Sequence, residues 1–188
     1  SNLPITASMS NGADGYPLSS GAKFSAYSGF FGDAETQDVD FMISGPLSGY
    51  ASGAAVNTLP EATTQANNLI QICEARKDCM AIISPRKADC VNNSGLEASS
   101  IETFANTLTS SSYGVLDSAW CYQYDKYTDN YCYVPACSHT AGVMARTDAD
   151  RDAWFSPAGF NRGQFLGITK LRSEEHTSEL QSPMYLVC

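Results

Sequence analysis

The sequence lacks most of the features that mark membrane proteins and nucleic-acid-binding proteins. No apolar run approaches the roughly 20 residues that cross a bilayer, so no membrane insertion is predicted. Basic residues are scarce and scattered, with 11 Lys and Arg against 20 Asp and Glu and a net charge of -9. A nucleic-acid interface needs a basic stripe that neutralises phosphates, so we predict no direct contact with nucleic acid.

Motifs for catalysis and for metal or cofactor binding are also missing. The chain contains no Gly-x-Ser-x-Gly elbow and no glycine-rich phosphate loop. His139 is the only histidine before residue 172, and Ser138 is merely its neighbour in sequence, which favours an ordinary helix histidine. No Cys-x-x-Cys pair occurs, so small buried thiols are expected in place of a zinc site. These cysteines are Cys73, Cys79, Cys90, Cys121, Cys132 and Cys137. We predict no catalytic residue, no cofactor and no metal.

The last seventeen residues differ in character from the rest. Their first part, RSEEHTSELQS, resembles the in-frame translation of a short-read sequencing adapter. This polar run follows the apolar segment GQFLGITKL without a turn or cap signal between them. We therefore predict that residues 172–188 are an adapter-derived artefact. Residue 1 is also not Met. Together with the adapter-like end, this leads us to expect that the natural sequence is cut at both ends.

The first half of the chain predicts a strand–helix–strand unit. Residues 1–37 are rich in Gly, Ser, Asn and Asp and predict a loop-rich lead-in, with a strand near Lys23–Ser28. The apolar run Asp38–Ser44 predicts a buried strand. Thr58-Leu59-Pro60-Glu61 has the form of a capping box and predicts a helix that ends near Lys77. Met80–Ser84 then predicts a second buried strand, which completes a βαβ unit.

The second half predicts two more helices and a hairpin. A capping box at Ser99-x-x-Glu102 predicts the first of these helices. Alternating aromatic residues predict a hairpin from Ser118–Asp125 and Tyr131–Val134, across which Cys121 and Cys132 face each other. A helix from Pro135 to about Asp148, whose small residues indicate close packing on a sheet, and a strand at Phe165–Lys170 follow. The resulting fold class is α/β, a mixed sheet flanked by helices.

Tyrosines are concentrated in this hairpin, at Tyr122, Tyr124, Tyr127, Tyr131 and Tyr133. Stacked nucleotide bases are one possible partner for such residues. No basic groove accompanies them, and amphipathic tyrosines are common on half-buried strands and at protein interfaces. We therefore favour a protein interface.

Two segments near the end of the natural sequence are similar to one family. VPACSHTAGVMARTD at Val134–Asp148 and WFSPAGFNRG at Trp154–Gly163 resemble motifs of contractile tail sheath proteins of myovirus-type tailed bacteriophages. DVDFMISGP at Asp38–Pro46 and AIISPR at Ala81–Arg86 resemble core strands of the same family. The resemblance marks a structural motif of ten residues: Arg146, Thr147, Asp148, Trp154, Pro157, Ala158, Gly159, Asn161, Arg162 and Gly163.

This resemblance implies a virion protein that is not an enzyme. The implied fold is a tail-sheath core at residues 38–171, subtilisin-like in topology but without a triad, and the lead-in 1–37 can come from an adjacent sheath domain. Sheath subunits form six-fold rings around the tail tube, meet baseplate and tail terminator proteins, and contract to deliver the genome. They assemble in the host cytoplasm. Arg146 and Arg162 are expected to pair with carboxylates within the subunit or across to a neighbour.

Two alternatives remain open at this point. Type VI secretion systems and phage-derived injection particles use sheaths with the same core, so a sheath subunit of one of those machines is the alternative to a phage tail sheath. A more distant alternative is a hydrolase that uses His139.

Overall fold

The computed structural model describes residues 19–45, 47, 49–51, 54–56, 58–152, 154–159 and 163–172. Its helices are α1 (Ser20–Phe31), α2 (Leu59–Arg76), α3 (Lys87–Cys90), α4 (Glu97–Thr107) and α5 (Cys137–Asp150). Its strands are β1 (Phe41–Ile43), β2 (Gly49–Ala51), β3 (Ala54–Val56), β4 (Met80–Ile83), β5 (Gly114–Leu116), β6 (Trp120–Asp125), β7 (Asn130–Pro135) and β8 (Ile168–Arg172).

A parallel sheet in the order β1-β4-β5 contains the predicted βαβ unit. β1 pairs with β4 in parallel, with Phe41 opposite Met80, and α2 lies in the connection between them. The sequence of β4 is an uninterrupted apolar run. Ala81, Ile82 and Ile83 are all buried, as expected for a strand that is covered on both faces. The small antiparallel hairpin β2–β3 also lies in this connection and was not predicted, since its Gly- and Ala-rich sequence has no alternating pattern.

Helix α2 follows its prediction closely, although its start is built differently. The predicted apolar positions are all buried, at Ala62, Ala66, Leu69, Ile70 and Cys73. Thr58 is the N-cap residue, but its side chain makes no capping hydrogen bond, so the predicted capping box is wrong. The Thr58 carbonyl instead accepts from the Ala62 amide at 3.1 Å. The helix ends at Arg76, and Lys77 takes the left-handed conformation (φ 65°) that terminates many helices.

Helix α1 occupies a segment for which loop and strand were predicted. The Ser19 hydroxyl accepts from the Ala22 amide at 3.2 Å and so caps the helix. Phe24, Tyr27 and Phe31 repeat at helical spacing and pack against the core around α2. The exposed Phe30 interrupts this pattern in the sequence, which explains why the predicted strand at Lys23–Ser28 is wrong.

The predicted capping box of α4 is also wrong, because the N-cap residue is Leu96, three residues before the predicted Ser99. Ser99 lies inside the first turn, and its hydroxyl donates to the Leu96 carbonyl at 3.0 Å. The Glu97 carboxylate reaches back instead and accepts from the Asn93 amide at 3.0 Å. Ile101 and Phe104 are buried, as predicted for the apolar face of this helix.

An antiparallel sheet in the order β7-β6-β8 contains the predicted hairpin. Cys121 lies opposite Val134 and Cys132 lies opposite Gln123, so the two thiols do not face each other as predicted. The third strand, β8, begins and ends later than predicted. Its last residue is Arg172, the first residue of the segment attributed to an adapter; residues 173–188 lie outside the described part.

Helix α5 packs on β4 and β1, but through a different face from the one predicted. Its buried residues are Cys137, Thr140, Val143 and Thr147. Gly142 and Ala145 are exposed instead, and a Cβ added at Gly142 would meet no atom within 4 Å. The predicted close packing of small residues is therefore wrong for Gly142 and Ala145, although Ala136, just before the helix, is buried.

The α/β fold class is confirmed, with small sheets in place of a single mixed sheet. Among the described residues these are the two sheets above and the β2–β3 hairpin. No helix within the described ranges is long and apolar enough to cross a membrane.

Candidate functional site

The carboxyl end of β4 joins the two larger sheets and α5. The Ser84 hydroxyl accepts from the Cys137 amide, the first residue of α5, at 3.1 Å. The Trp120 indole Nε1 on β6 donates to the Pro85 carbonyl at 3.1 Å. Both hydrogen bonds are buried, so leaving either partner unpaired would cost about 1–3 kcal/mol. They hold the antiparallel sheet and α5 in place against the parallel sheet.

Asp117, in the loop between β5 and β6, makes the second polar contact with α5. One carboxylate oxygen accepts from the Thr140 hydroxyl on α5. The other accepts from the Ala119 amide at 3.1 Å, so both oxygens are used. Sequence analysis missed Ser84, Asp117 and Thr140, although a serine directly after a buried strand was an available signal.

Arg86, the last residue of the AIISPR segment, binds a carboxylate close by in sequence. Its Nε donates to Asp89 Oδ2 at 2.7 Å and its Nη2 to the other oxygen, which makes the pair bidentate. The Asp89 side chain is buried. This geometry serves to fix the loop after β4.

The first part of the predicted ten-residue motif lies along α5 and is divided between core and surface. Thr147 is buried, and its hydroxyl donates to the Val143 carbonyl at 2.8 Å. Arg146 and Asp148 are exposed. Arg146 Nη2 lies 3.4 Å from the Gln164 carbonyl, which links α5 to the segment before β8.

The second part of the motif forms a compact turn with an exposed aromatic residue before it. The Trp154 side chain is 80% exposed. Pro157 and Ala158 lead into Gly159, whose φ of 129° favours glycine. The Gly163 amide donates to the Gly159 carbonyl at 2.8 Å and closes the turn. The remaining predicted residues, Asn161 and Arg162, lie outside the described residues.

A groove of about 310 Å³ runs between α5 and the segment before β8. It is lined by Ser138, His139, Gly142, Val143, Arg146, Gln164, Phe165 and Leu166. His139 Nε2 lies 3.1 Å from Gln123 Oε1, and its ring packs on Phe165 at 5.5 Å between centroids. Burial lowers the pKa of His139, and the charge of Asp117 opposes this effect.

The groove does not have the geometry of a serine hydrolase. The Ser138 hydroxyl donates to the Pro135 carbonyl at 3.2 Å, and not to His139. His139 Nδ1 is buried without a hydrogen-bond partner among the described residues, so no carboxylate orients the ring from that side. The interpretation of His139 as an ordinary helix histidine accounts for these contacts.

The buried thiols of Cys73 and Cys121 are held in their protonated form. Burial raises the pKa of Cys73 and of Cys121 to about 12. A reactive cysteine needs a lowered pKa and exposure, and these residues have neither. Cys132 is exposed, and the other five of the six described cysteines are buried. The described residues contain no cluster of three or more His, Cys, Asp or Glu side chains that could hold a metal.

One face of the antiparallel sheet carries four tyrosines, which we call the tyrosine face: Tyr122, Tyr124, Tyr131 and Tyr133. They share a face because Tyr122 lies opposite Tyr133, and Tyr124 lies opposite Tyr131. The Tyr122 and Tyr131 rings stack at 5.2 Å between centroids, and the Tyr122 and Tyr133 rings lie 4.6 Å apart. Tyr124 OH donates to Asp129 Oδ1 at 2.6 Å, which raises the pKa of Tyr124.

The tyrosine face is open to solvent at one end and packed at the other. Trp120, on the same face, is buried against Cys90, Val91 and Ile101, and Tyr133 packs on this cluster. Further along the hairpin the side chains of Tyr124 and Tyr131 are 48% and 47% exposed. The sequence-based interpretation of this segment as a protein interface stays a prediction.

Three tail sheath proteins of bacteriophages are similar to this chain. The tail sheath protein of Enterobacteria phage T4 is 36% identical over 161 residues, which cover 80% of this chain. That of Vibrio phage KVP40 is 32% identical over 134 residues, or 64% of the chain, and that of Salmonella phage ViI is 37% identical over 104 residues, or 55%. The predicted resemblance to tail sheath proteins is therefore confirmed. No protein-family model matches the chain.

The chain spans a small part of each of these relatives. The aligned residues cover 23% of the T4 protein, 20% of the KVP40 protein and 16% of the ViI protein. The similarity therefore concerns one segment of a tail sheath protein and does not extend over its whole length.

Proposed function

We propose that this chain is a segment of a structural subunit of a contractile phage tail sheath, which polymerises around the tail tube and contracts to drive genome delivery into the host. The observation that carries the proposal is the 36% identity to the T4 tail sheath protein over 161 residues. The proposed role is mechanical, and no enzymatic step is assigned to any residue.

The division of polar and aromatic residues between the interior and the surface supports a structural role. Ser84, Asp117 and Thr140 are used inside the chain to join α5 to the sheets. Trp154 and Asp148, in contrast, are exposed on that scaffold. A rigid frame with exposed aromatic and charged residues is the arrangement that a subunit needs in order to contact its neighbours.

Several finer statements belong to the same proposal. Residues 38–171 belong to the tail-sheath core, whose topology is subtilisin-like without a triad, and residues 1–37 lead in from an adjacent domain. The whole subunit forms six-fold rings on the tail tube and meets baseplate and tail terminator proteins. It resides in the virion after assembly in the host cytoplasm. The ten motif residues support the subunit and its contacts.

Immunoelectron microscopy tests the proposal. Antibodies raised against the 188-residue chain are applied to phage particles from the source of the gene. We expect label along the whole length of the contractile tail, and its loss after the antibodies are adsorbed on purified chain. Label confined to heads, or tails that remain unlabelled while an immunoblot detects the antigen in the particles, would contradict the proposal.

The secretion-system alternative is separated from the phage assignment by neighbouring genes. Capsid and terminase genes beside the coding sequence would support the phage tail, whereas an ATPase that recycles contracted sheath would support secretion. All three relatives come from phages, which favours the first outcome.

Residues 172–188 are proposed to derive from a sequencing adapter. Long-read sequencing across the junction between Leu171 and Arg172 tests this directly. A reading frame that continues into different sequence after Leu171 would support the proposal. Reads that contain RSEEHTSELQS as coding sequence would overturn it.

A further inference from the structure

We propose that the tyrosine face docks on an acidic loop, residues 33–40, of a second copy of this chain. The inference rests on the proposed function, because it names two surfaces through which sheath subunits contact each other. The partner is a second copy of this chain, because the charges of the two surfaces are complementary.

The tyrosine face has the properties of a docking platform. The stacked rings of Tyr122, Tyr131 and Tyr133 hold one another in place, so little side-chain freedom would be lost on binding. Tyr124 and Tyr131 remain about half exposed. Tyrosine is among the residues enriched at the centres of protein interfaces because its ring is apolar and its hydroxyl can bond.

Lysines flank these rings. Lys87 Nζ lies 5.2 Å from the centre of the Tyr133 ring. Lys170 on β8 lies opposite Tyr122 in the sheet register, and in-register residues share a face. The Asp129 carboxylate lies beside Tyr124 at the other end of the face, so in a chain of net charge -9 the lysine-flanked end is the part that favours an acidic partner.

The acidic loop has the complementary properties. It carries four exposed carboxylates and no basic residue, at Asp33, Glu35, Asp38 and Asp40. The neighbouring Phe30 side chain is 61% exposed and adds an apolar contact. The other exposed acidic run, residues 148–152, contains Arg151 and is therefore less negative.

The buried Arg76 holds the acidic loop in shape. Its Nη1 donates to the Phe31 carbonyl at 2.6 Å, and its Nη2 donates to the Gln37 carbonyl at 2.7 Å. Asp78 balances its charge at 2.7 Å. The carboxylates are thus presented on an ordered backbone, which lowers the entropic cost of binding.

Both surfaces are exposed in the structure, so neither covers the other within one copy. Each copy would offer its tyrosine face to one neighbour and its acidic loop to another. Such a head-to-tail contact is heterologous, and repeated heterologous contacts generate rings or helical filaments.

Charge exchange tests the contact. Self-association of the purified 188-residue chain is measured by sedimentation velocity at low salt, for the wild type and for two doubly reversed variants. Lys87→Glu with Lys170→Glu, and Glu35→Lys with Asp38→Lys, should each weaken association by roughly tenfold or more. An equimolar mixture of the two variants should recover association, because the reversed surfaces again attract. Arg151→Glu, at an exposed basic residue that belongs to neither surface, is the matched control and should have no effect.

A second pair of variants distinguishes binding through the tyrosine face from non-specific hydrophobic association. Tyr131→Ala should weaken association, whereas Tyr127→Ala should not, although Tyr127 is 86% exposed and lies in the turn outside the tyrosine face. Circular dichroism and thermal melting verify that each variant is folded. A wild-type chain that stays monomeric at all concentrations, or a mixture that fails to associate, would overturn the inference.

The contact between copies and the sheath assignment can fail separately. If the longer sheath protein with the reversed charges still decorates tails and polymerises normally, the contact is wrong and the sheath assignment stands. If the chain self-associates through these surfaces but antibodies do not label tails, the contact stands and the sheath assignment fails.

Discussion

Two glycines in the segments that resemble tail sheath motifs, Gly142 and Gly163, differ in their surroundings. Gly142 lies on the exposed face of α5, with open space where a Cβ would be. A Cβ at Gly163 would lie 3.2 Å from the Pro157 carbonyl oxygen and 3.3 Å from the Gly159 amide. A side chain at 163 would therefore be tightly packed against the backbone of the turn, whereas the described structure leaves open space for one at 142.

Alanine substitution of these two glycines should change stability in opposite directions. Gly163→Ala should lower the free energy of unfolding by about 1 kcal/mol, because backbone atoms cannot move aside as a side chain can. Gly142→Ala should raise it by about 0.5–1 kcal/mol, since alanine is the better helix former. Urea unfolding followed by circular dichroism gives both values. Changes of the same sign would contradict the described environments.

The buried His139 should make stability depend on pH. Because burial lowers its pKa in the folded chain, the unfolded chain binds a proton more readily as pH falls through about 6.5. The stability contributed by neutral His139 is thus present above that pH and is lost toward the lower folded-state pKa. His139→Gln keeps a polar group near Gln123 without this titration, so its stability should fall less between pH of about 7.5 and 5.5. Equal losses in both proteins would show that His139 does not contribute.

At the scale of elements, the parts that the sequence predicted correctly are those whose apolar pattern is dense and local. α2 and β4 each bury almost every apolar residue, so helical spacing and an unbroken run were reliable signals. The hairpin β6–β7 was found through its alternating aromatics. Arg76 and Asp117 gave no such signal, because their roles depend on partners about 40 and 20 residues away.

The wrong predictions also have local physical causes. α1 has one narrow, half-buried apolar stripe, and its exposed Phe30 obscures that stripe in the sequence. Ser99 fits a capping pattern, yet Glu97 starts the helix earlier by binding the preceding loop. On α5 Gly142 and Ala145 face solvent, because Thr140 and Thr147 form hydrogen bonds that let polar side chains occupy the buried face. A prediction from residue size alone therefore gave the wrong buried face for this helix.

The hydrogen bond between Thr140 and Asp117, which holds α5 in place, should contribute to the free energy of unfolding. Thr140→Val keeps the shape of the side chain but removes the donor from the Asp117 carboxylate. We expect a loss of about 1.5–3 kcal/mol in the free energy of unfolding. Thr103→Val is the matched control, since Thr103 is exposed and bonds only within its own helix, so its effect should stay within about 0.5 kcal/mol. Similar effects of the two substitutions would show that the Thr140 contact does not stabilise the fold.

At the scale of the whole molecule, the chain combines a frame held by buried hydrogen bonds with aromatic and acidic residues exposed on its surface. The tyrosine face, Trp154 and the acidic loop are all displayed on this frame. Contiguous exposed aromatic surface on a small α/β unit is characteristic of a protein that functions through contacts with others. The segmental similarity to three tail sheath proteins agrees with that role.

Electron microscopy of the longer protein that contains this chain tests the account most directly. The protein is expressed together with its tail tube protein and examined by negative staining. We predict hollow cylinders of sheath protein with six-fold helical symmetry, assembled around the tube. Monomers under all assembly conditions, from a protein with intact termini and in the presence of tubes, would contradict the assignment to a contractile tail sheath.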